Sequence, residues 1–309
     1  MSLRIAVIGV GHLGKHHARI LASLPGVELV GVVDTNRPRA DEIASANRTQ
    51  PFYDARELAE KVDAVTIAVP TEIHLEVARS FLAAGVPVLV EKPMTRTLDE
   101  ADQLIDLAAR ASVPLAVGHT ERFNPAVEVA STLLTNPRFI EVHRLGAFPD
   151  RSLDIDVVFD LMIHDLDVVL SLVDSEVTAI EAVGVPVLTG RVDIANARLK
   201  FANGCIANVT ASRISRDRVR KIRFFQPMAY LSIDYAAQKV EMWKLVKGQG
   251  AMPSIEGGEV NVPGDEPLKR ELEDFVDAVV SKRAPKVDGA QGRRALALAT
   301  EITRKIASN

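Results

Sequence analysis

The chain has 309 residues, 47% hydrophobic and 25% charged, which describes a globular protein of about two domains and excludes a disordered, collagenous or coiled-coil one. With 37 Lys and Arg against 41 Asp and Glu the formal net charge is −4, so the chain as a whole has no attraction for nucleic acid or an anionic membrane. One cysteine, Cys205, can form no internal disulfide and no thiolate cluster; with no leader-like start and no apolar run near the roughly 20 residues that span a bilayer, the expected setting is the cytoplasm.

In chain order, short apolar runs stand at Ile5–Ile8, Val27–Val33, Ala64–Val69, Val86–Val90 and Leu115–Val117. Helical stretches lie between them at His12–Ser23, Arg37–Ala46, Glu72–Ala84 and Leu98–Ala111. Strands apolar on both faces and separated by helices indicate a parallel sheet covered on two sides. Residues 1–122 therefore read as a doubly wound α/β domain.

Past Pro125 the texture changes. A helix over Ala126–Leu134 precedes alternating strands at Phe139–Ala147, Val177–Pro186, Asp193–Phe201, Cys205–Ser212, Val219–Phe225, Tyr230–Asp234 and Lys239–Lys244. Asn203-Gly204 supplies a hairpin turn. One helix, Val157–Leu172, interrupts the strands, and helices at Leu268–Ser281 and Ala290–Ala307 close the chain. Residues 123–309 read as an α+β domain with a large, mostly antiparallel open sheet, its C-terminal helix free to pack on the first domain. The Gly- and Pro-rich stretch Gly248–Gly264 reads as a surface loop.

The first strand runs into Gly9-Val10-Gly11-His12-Leu13-Gly14, a complete GxGxxG between a strand and a helix. Gly9 suits the tight turn, Gly11 admits a pyrophosphate to the backbone, and Gly14 allows close helix–strand contact; the helix N-terminus then faces the phosphates. Asp34 ends the second strand 20 residues past Gly14, where a carboxylate accepts from the adenosine ribose hydroxyls and repels a 2′-phosphate. That favours NAD over NADP, although Arg37 and Arg39 nearby could receive the phosphate. This is a Rossmann-type nucleotide site, and further cofactor contacts are expected at the C-terminal strand ends. There lie Pro70 and Thr71 with His74 just beyond, Glu91 and Lys92, and His119.

Three motifs in order, Gly9–Gly14, Glu91-Lys92-Pro93 and Asp160-Leu161-Met162-Ile163-His164, resemble the signatures of the Gfo/Idh/MocA oxidoreductase family, which includes glucose–fructose oxidoreductase and inositol dehydrogenases. The resemblance covers nearly the whole chain. It implies an NAD-dependent dehydrogenase that oxidises a sugar hydroxyl, with Lys92, Asp160 and His164 as the catalytic set, a cis peptide before Pro93 and no catalytic metal.

Residue chemistry bears on the same groups. Asp160 and His164 are four apart on a helix and share a face. A carboxylate that holds one imidazole nitrogen leaves the other free to take a proton, as alcohol oxidation requires. An ammonium at Lys92 would stabilise developing alkoxide charge. This reading favours His164 as the base; Lys92, deprotonated by burial, is the competitor. A helix-surface pair and a metal site with Asp165 or Asp167 are the other readings of Asp160 and His164.

Two segments bear on substrate. Gly118–Pro125 leads out of the last strand of the first domain and carries Arg122 and Asn124, candidates for substrate contact, with helix capping as the alternative for Asn124. The run from Arg213 to Arg223 holds six cations in eleven residues. It reads either as a solvated strand edge or as a phosphate clamp, with Arg213 and Arg220 as the candidate ligands. Glu121–Pro125 and Arg220–Gln226 resemble the subgroup that oxidises the 3-hydroxyl of UDP-N-acetylglucosamine or its uronate. A free-sugar or inositol dehydrogenase and a catalytically silent NAD- or sugar-sensing regulator are the competing readings. The expected partners are a sugar or nucleotide-sugar substrate and further copies of the chain, as a homodimer or homotetramer, because the open sheet has a face to cover.

Overall fold

The first apolar run becomes strand β1 (Leu3–Ile8), followed by α1 (Gly14–Leu21), β2 (Val27–Val33), α2 (Arg37–Asn47), the short β3 (Gln50–Phe52), β4 (Ala64–Ile67), α3 (His74–Ala83), β5 (Val88–Glu91), α4 (Leu98–Ala111) and β6 (Leu115–Gly118). The structure is a computed structural model and describes residues 2–58, 60–148, 155–246 and 253–308. Two units are resolved: Met1–His119 with Leu268–Leu296, and Thr120–Pro267 with Ala297–Asn309.

In the first unit every strand pair is parallel and the order is β3-β2-β1-β4-β5-β6. The chain changes direction across the sheet between β1 and β4, and a crevice at the strands' C-terminal ends follows from that reversal. Helix starts are locally encoded. Asn36 accepts from the Arg39 N–H to cap α2, and Thr97 accepts from the Glu100 N–H to cap α4. The core of β1 and α1, with Ile5, Val7, Ile20 and Leu21 fully buried, also takes Leu272 and Phe275 from α7 (Pro267–Ser281). Arg293, in α8 (Gly289–Ala307), makes a bidentate pair with Asp102 of α4.

The second unit begins with a 3-10 turn at Thr120–Phe123 and contains α5 (Pro125–Leu133), β7 (Phe139–Leu145), α6 (Ile163–Leu172), β8 (Val177–Val185), β9 (Ile194–Phe201), β10 (Ile206–Ser212), β11 (Val219–Gln226), β12 (Ala229–Asp234), β13 (Lys239–Val246) and β14 (Ser254–Val260). Its sheet runs β14-β13-β12-β11-β7-β10-β9-β8, antiparallel except for the β7–β10 pair. Strict alternation sets the faces: Ile140 and Val142 of β7, Ile222 and Phe224 of β11, and Leu231 and Ile233 of β12 are fully buried. On that face α6 meets β10 and α5 meets β12 and β13.

Two local expectations are corrected. Within the stretch read as a loop, Ser254–Val260 is strand β14, paired along its length with β13 from Val240↔Val260 to Val246↔Ser254. Backbone pairing to a preformed edge outweighs the low strand propensity of its glycines; residues 248–252 of that stretch lie outside the described residues. The single helix expected over 157–172 opens with a π-helical stretch, Val158–Met162, before α6 begins. Among the described residues no helix is long and apolar enough to cross a membrane.

Candidate active site

In the first unit the glycine loop and the acid after β2 are brought together. Asp34 accepts the Val10 N–H at 3.1 Å and the Asn36 N–H at 2.9 Å, and Arg39 Nη1 stands 3.4 Å from the same carboxylate. A β-carbon on Gly14 would lie 1.8 Å from the Gly9 carbonyl oxygen, so helix α1 can meet the loop this closely only with glycine there. At Gly11 the corresponding position meets only Arg39, at 3.9 Å, which leaves the backbone open to a ligand. His12 and Leu13 are exposed at the start of α1. An open glycine face with a carboxylate anchored beside it fits a dinucleotide.

The strand ends carry the rest of the expected cofactor set. Pro70 is exposed and Thr71 half-buried in a one-turn 3-10 segment after β4. His74 is buried, with Nε2 2.9 Å from the Val69 carbonyl and Nδ1 3.1 Å from that of Pro93, and so ties the end of β4 to the turn after β5. Burial lowers its pKa. Lys92 is half-buried and its peptide to Pro93 is cis. Glu91 turns inward: its carboxylate meets His17 Nε2 at 3.0 Å and accepts the Lys92 N–H at 3.2 Å. His119 is buried just beyond β6. His17 was not among the residues expected from sequence, although its inward place on α1, three residues past Gly14, was a usable signal.

In the second unit Asp160 sits in the π-helical stretch and His164 in the first turn of α6, both half-buried. π-Helical turns occur often at functional sites. The neighbouring acids are already engaged. Asp165 meets Arg144 of β7 in bidentate fashion at 2.6 and 3.0 Å, and Asp167 lies 3.4 Å from Arg122. Arg144 also contacts Glu121 at 3.2 Å and lies over the Tyr235 ring. Burial opposes the Arg144 charge, but Asp165 and Glu121 outweigh it and raise the guanidinium pKa. Burial pushes Asp165 up even against that cation's pull, and pushes the Tyr235 hydroxyl well up. The bidentate geometry is that of an ion pair. Among the described residues no group of three or more His, Cys, Asp or Glu could hold a metal ion.

Of the residues expected to contact substrate, two are committed to the fold. Asn124 caps α5 through Ala126 N–H and donates to Glu121 and to the Tyr235 carbonyl at 3.1 and 3.0 Å. Arg213 is 1% exposed, with Nε donating to Asp193 at 2.9 Å and Nη2 to the Val192 carbonyl at 3.2 Å. Two further members of the cationic run are also paired, Lys221 with Asp234 at 3.5 Å and Arg223 with Glu141 at 2.9 Å. Arg218 and Arg220 are exposed and meet no carboxylate among the described residues. Both line a cavity of about 1130 Å³ whose walls also include Asp160, Leu161, Phe148, Arg144 and Arg213.

Comparisons with known proteins agree with this architecture. Residues 3–119 match the oxidoreductase family described as GFO/IDH/MocA, NAD-binding Rossmann fold, and residues 129–225 match the GFO/IDH/MocA C-terminal domain. The chain is 40% identical to a UDP-N-acetylglucosamine 3-dehydrogenase of Acidithiobacillus ferrooxidans over 97% of this chain and 96% of that protein. A solved structure of the Acidithiobacillus ferrooxidans enzyme superposes with a TM-score of 0.94 at 38% identity, covering 100% of this chain and 98% of that one. An NAD-dependent scyllo-inositol 2-dehydrogenase of Bacillus subtilis is 30% identical over 69% of this chain and 68% of that protein. The chain belongs to the Gfo/Idh/MocA family of oxidoreductases, and its first unit is the family's NAD(P)-binding domain.

Proposed function

We propose that this enzyme uses NAD to oxidise the 3-hydroxyl of a UDP-N-acetyl amino sugar to a ketone. The observation that carries the reading is the cavity of the second unit, where Asp160 shares walls with two cations that have no carboxylate partner among the described residues. A guanidinium pair of this kind suits a diphosphate, whose oxygens accept bidentate hydrogen bonds. A dehydrogenase of free sugars or inositol has no use for such a pair, and a silent sensor has no use for a base. The similarity to a UDP-N-acetylglucosamine 3-dehydrogenase supports the same substrate class. Arg218 joins Arg220 in the proposed clamp, and Arg213 supports the cavity wall from its pair with Asp193. A cytoplasmic setting is part of the reading, since the lone Cys205 is a buried free thiol.

In this reading His164 accepts the hydroxyl proton and Asp160 orients its ring. Lys92 donates a hydrogen bond to the oxygen as negative charge grows on it. NAD, when bound, supplies the hydride acceptor at carbon 4 of the nicotinamide. Gly11 would receive the pyrophosphate along its open backbone, and Asp34 would accept from the adenosine ribose and disfavour a 2′-phosphate.

The test is a panel of UDP-N-acetylglucosamine, UDP-glucose, free N-acetylglucosamine and inositol with NAD or NADP, read as reduced-nicotinamide absorbance. Turnover is expected with the UDP-amino sugar and NAD. Arg218→Ala and Arg220→Ala should each raise its KM by roughly 10-fold or more, the scale of a lost charge-assisted hydrogen bond, with a smaller change in kcat. Turnover confined to free polyols would refute the nucleotide-sugar assignment, and equal use of NADP would refute the role of Asp34.

The outer sheet face supports assembly with further copies of the chain. Phe139, Phe225, Tyr230 and Trp243 stand in register across β7, β11, β12 and β13, with Phe225 and Trp243 37% and 42% exposed. A contiguous aromatic strip of this kind is characteristic of an interface. Light scattering should give the mass of a dimer or tetramer, and Trp243→Glu should lower it. A monomeric wild-type chain at micromolar concentration would exclude this assembly.

A further inference from the structure

We infer that Arg213 and Asp193 are positioning residues, which act through the backbone of Val192 and the side chain of Asp156 to set the place of the π-helical turn that carries Asp160. The inference rests on the reading of Asp160 as a catalytic residue and adds what holds that residue at the cavity wall. Every contact it uses lies inside the second unit.

Asp193 directly precedes β9 and Arg213 directly follows β10, and both side chains are buried. The Arg213 N–H donates to the Asp193 carbonyl at 3.0 Å, and Nε donates to Oδ1 at 2.9 Å. The other carboxylate oxygen, Oδ2, accepts the N–H groups of Val187, Leu188 and Thr189 at 2.8, 2.6 and 2.8 Å. A buried ion pair adds little stability beyond that of apolar side chains of the same volume. What this pair supplies is geometry: it fixes the loop between β8 and β9, and Val192 with it.

Val192 is gripped from both sides. Its carbonyl accepts from Arg213 Nη2 at 3.2 Å and from the Val157 N–H at 3.0 Å, while its own N–H donates to Asp156 Oδ1 at 2.9 Å. An aspartate just before a helical stretch ordinarily turns its carboxylate onto the free N–H groups of that stretch. Asp156 instead reaches across to Val192, and its backbone carbonyl accepts the N–H groups of Phe159 and Asp160 at 3.0 and 3.1 Å. The contacts therefore run without a gap from Arg213 through Val192 and Asp156 to the backbone of Asp160, and Arg213 and Asp160 wall the same cavity. A shift of this turn would move the Asp160 carboxylate without removing it, and catalysis is sensitive to displacements of about 1 Å.

The test compares Asp156→Ala, which removes the acceptor for Val192, with Asp156→Asn, which keeps a carbonyl oxygen there, and Arg213→Lys, which replaces the forked donor by a single nitrogen. Each is made alone and together with Asp160→Asn, and kcat and KM for UDP-N-acetylglucosamine are measured with NAD. Asp156→Ala and Arg213→Lys should each lower kcat by roughly 10-fold or more with KM within about 3-fold of wild type, and Asp156→Asn should restore most of the rate. In the Asp160→Asn background the same changes should cost less than about 2-fold further, because the residue they position is already disabled. A merely structural role predicts the same fractional loss in both backgrounds, and that result would overturn the inference. Wild-type kcat in Asp156→Ala or in Arg213→Lys would overturn it as well. Asp156 is only half-buried, so its two variants carry the test if Arg213→Lys does not fold. Wild-type turnover in Asp160→Asn would instead remove the reading underneath, a failure distinct from an unaffected Asp156→Ala beside an impaired Asp160→Asn.

Discussion

Lys92→Ala and His164→Ala are each expected to lower kcat by roughly 10³-fold while NAD binding stays within a few-fold of wild type. The size follows from the proposed roles: a positioned general base contributes about 10²–10⁴-fold, and a single charged donor to a developing oxyanion about 10²–10³-fold. The direction of the split follows from placement. His164 projects from the first turn of α6, in a different unit from the glycine loop that receives the dinucleotide. Lys92 is half-buried, so truncation costs only a small loss of packing. Because the two groups serve one proton transfer, the double variant should be little worse than either single one. The measurement is kcat from reduced-nicotinamide absorbance beside NAD affinity from fluorescence titration. Normal turnover in either variant would sink its assigned role, and parallel loss of NAD binding would place that residue in cofactor binding instead.

Asp165→Ala is expected to destabilise the folded protein by about 3–5 kcal/mol, the cost of leaving a buried ion pair with one partner. Arg144 and Asp165 side chains are 5% and 1% exposed, and the pair is bidentate. After truncation the guanidinium keeps, among the described residues, only the Glu121 carboxylate at 3.2 Å. A fall in Tm of roughly 10 °C should follow. Arg144→Met combined with Asp165→Leu should recover much of the loss, because a well-packed apolar pair replaces two desolvated charges. The functional consequence is separable. Asp165 adjoins His164 and fixes the start of α6 on β7, so the double variant should melt near wild type and still turn over more slowly. A single Asp165→Ala variant that melts within about 2 °C of wild type would show that the ion pair contributes little to stability.

Some of this was legible because it is local. The alternation of apolar runs and helical stretches in the first 120 residues specifies a parallel sheet by period alone, and every strand pair of the first unit is parallel. The GxGxxG loop and Asp34 were legible for the same reason: tight turns and a strand-end carboxylate are properties of a few consecutive residues. Other features were not local. The loop reading of Gly248–Gly264 failed over Ser254–Val260 because composition reports propensity, whereas β13 offers an unpaired edge that propensity does not know about. The helix reading of Val157–Leu172 missed the π-helical opening because a single wide turn of five residues is too short to change the apolar pattern of the helix it opens.

The cationic run shows most clearly what the amino-acid order leaves open. Six positive side chains within Arg213–Arg223 look equivalent on paper. Folding brings Asp193 to Arg213, 20 residues away, and Glu141 to Arg223, 82 residues away, and thereby sorts structural arginines from the two that stay available at the cavity. The same holds for His17 and Glu91, 74 residues apart. By itself the sequence determined the sheet type, the nucleotide loop and the order of the chemical motifs, because backbone geometry and hydrophobic period act over short windows. Only the tertiary structure decided which charge answers which, because an ion pair depends on distance in space and on the water that folding removes from around it.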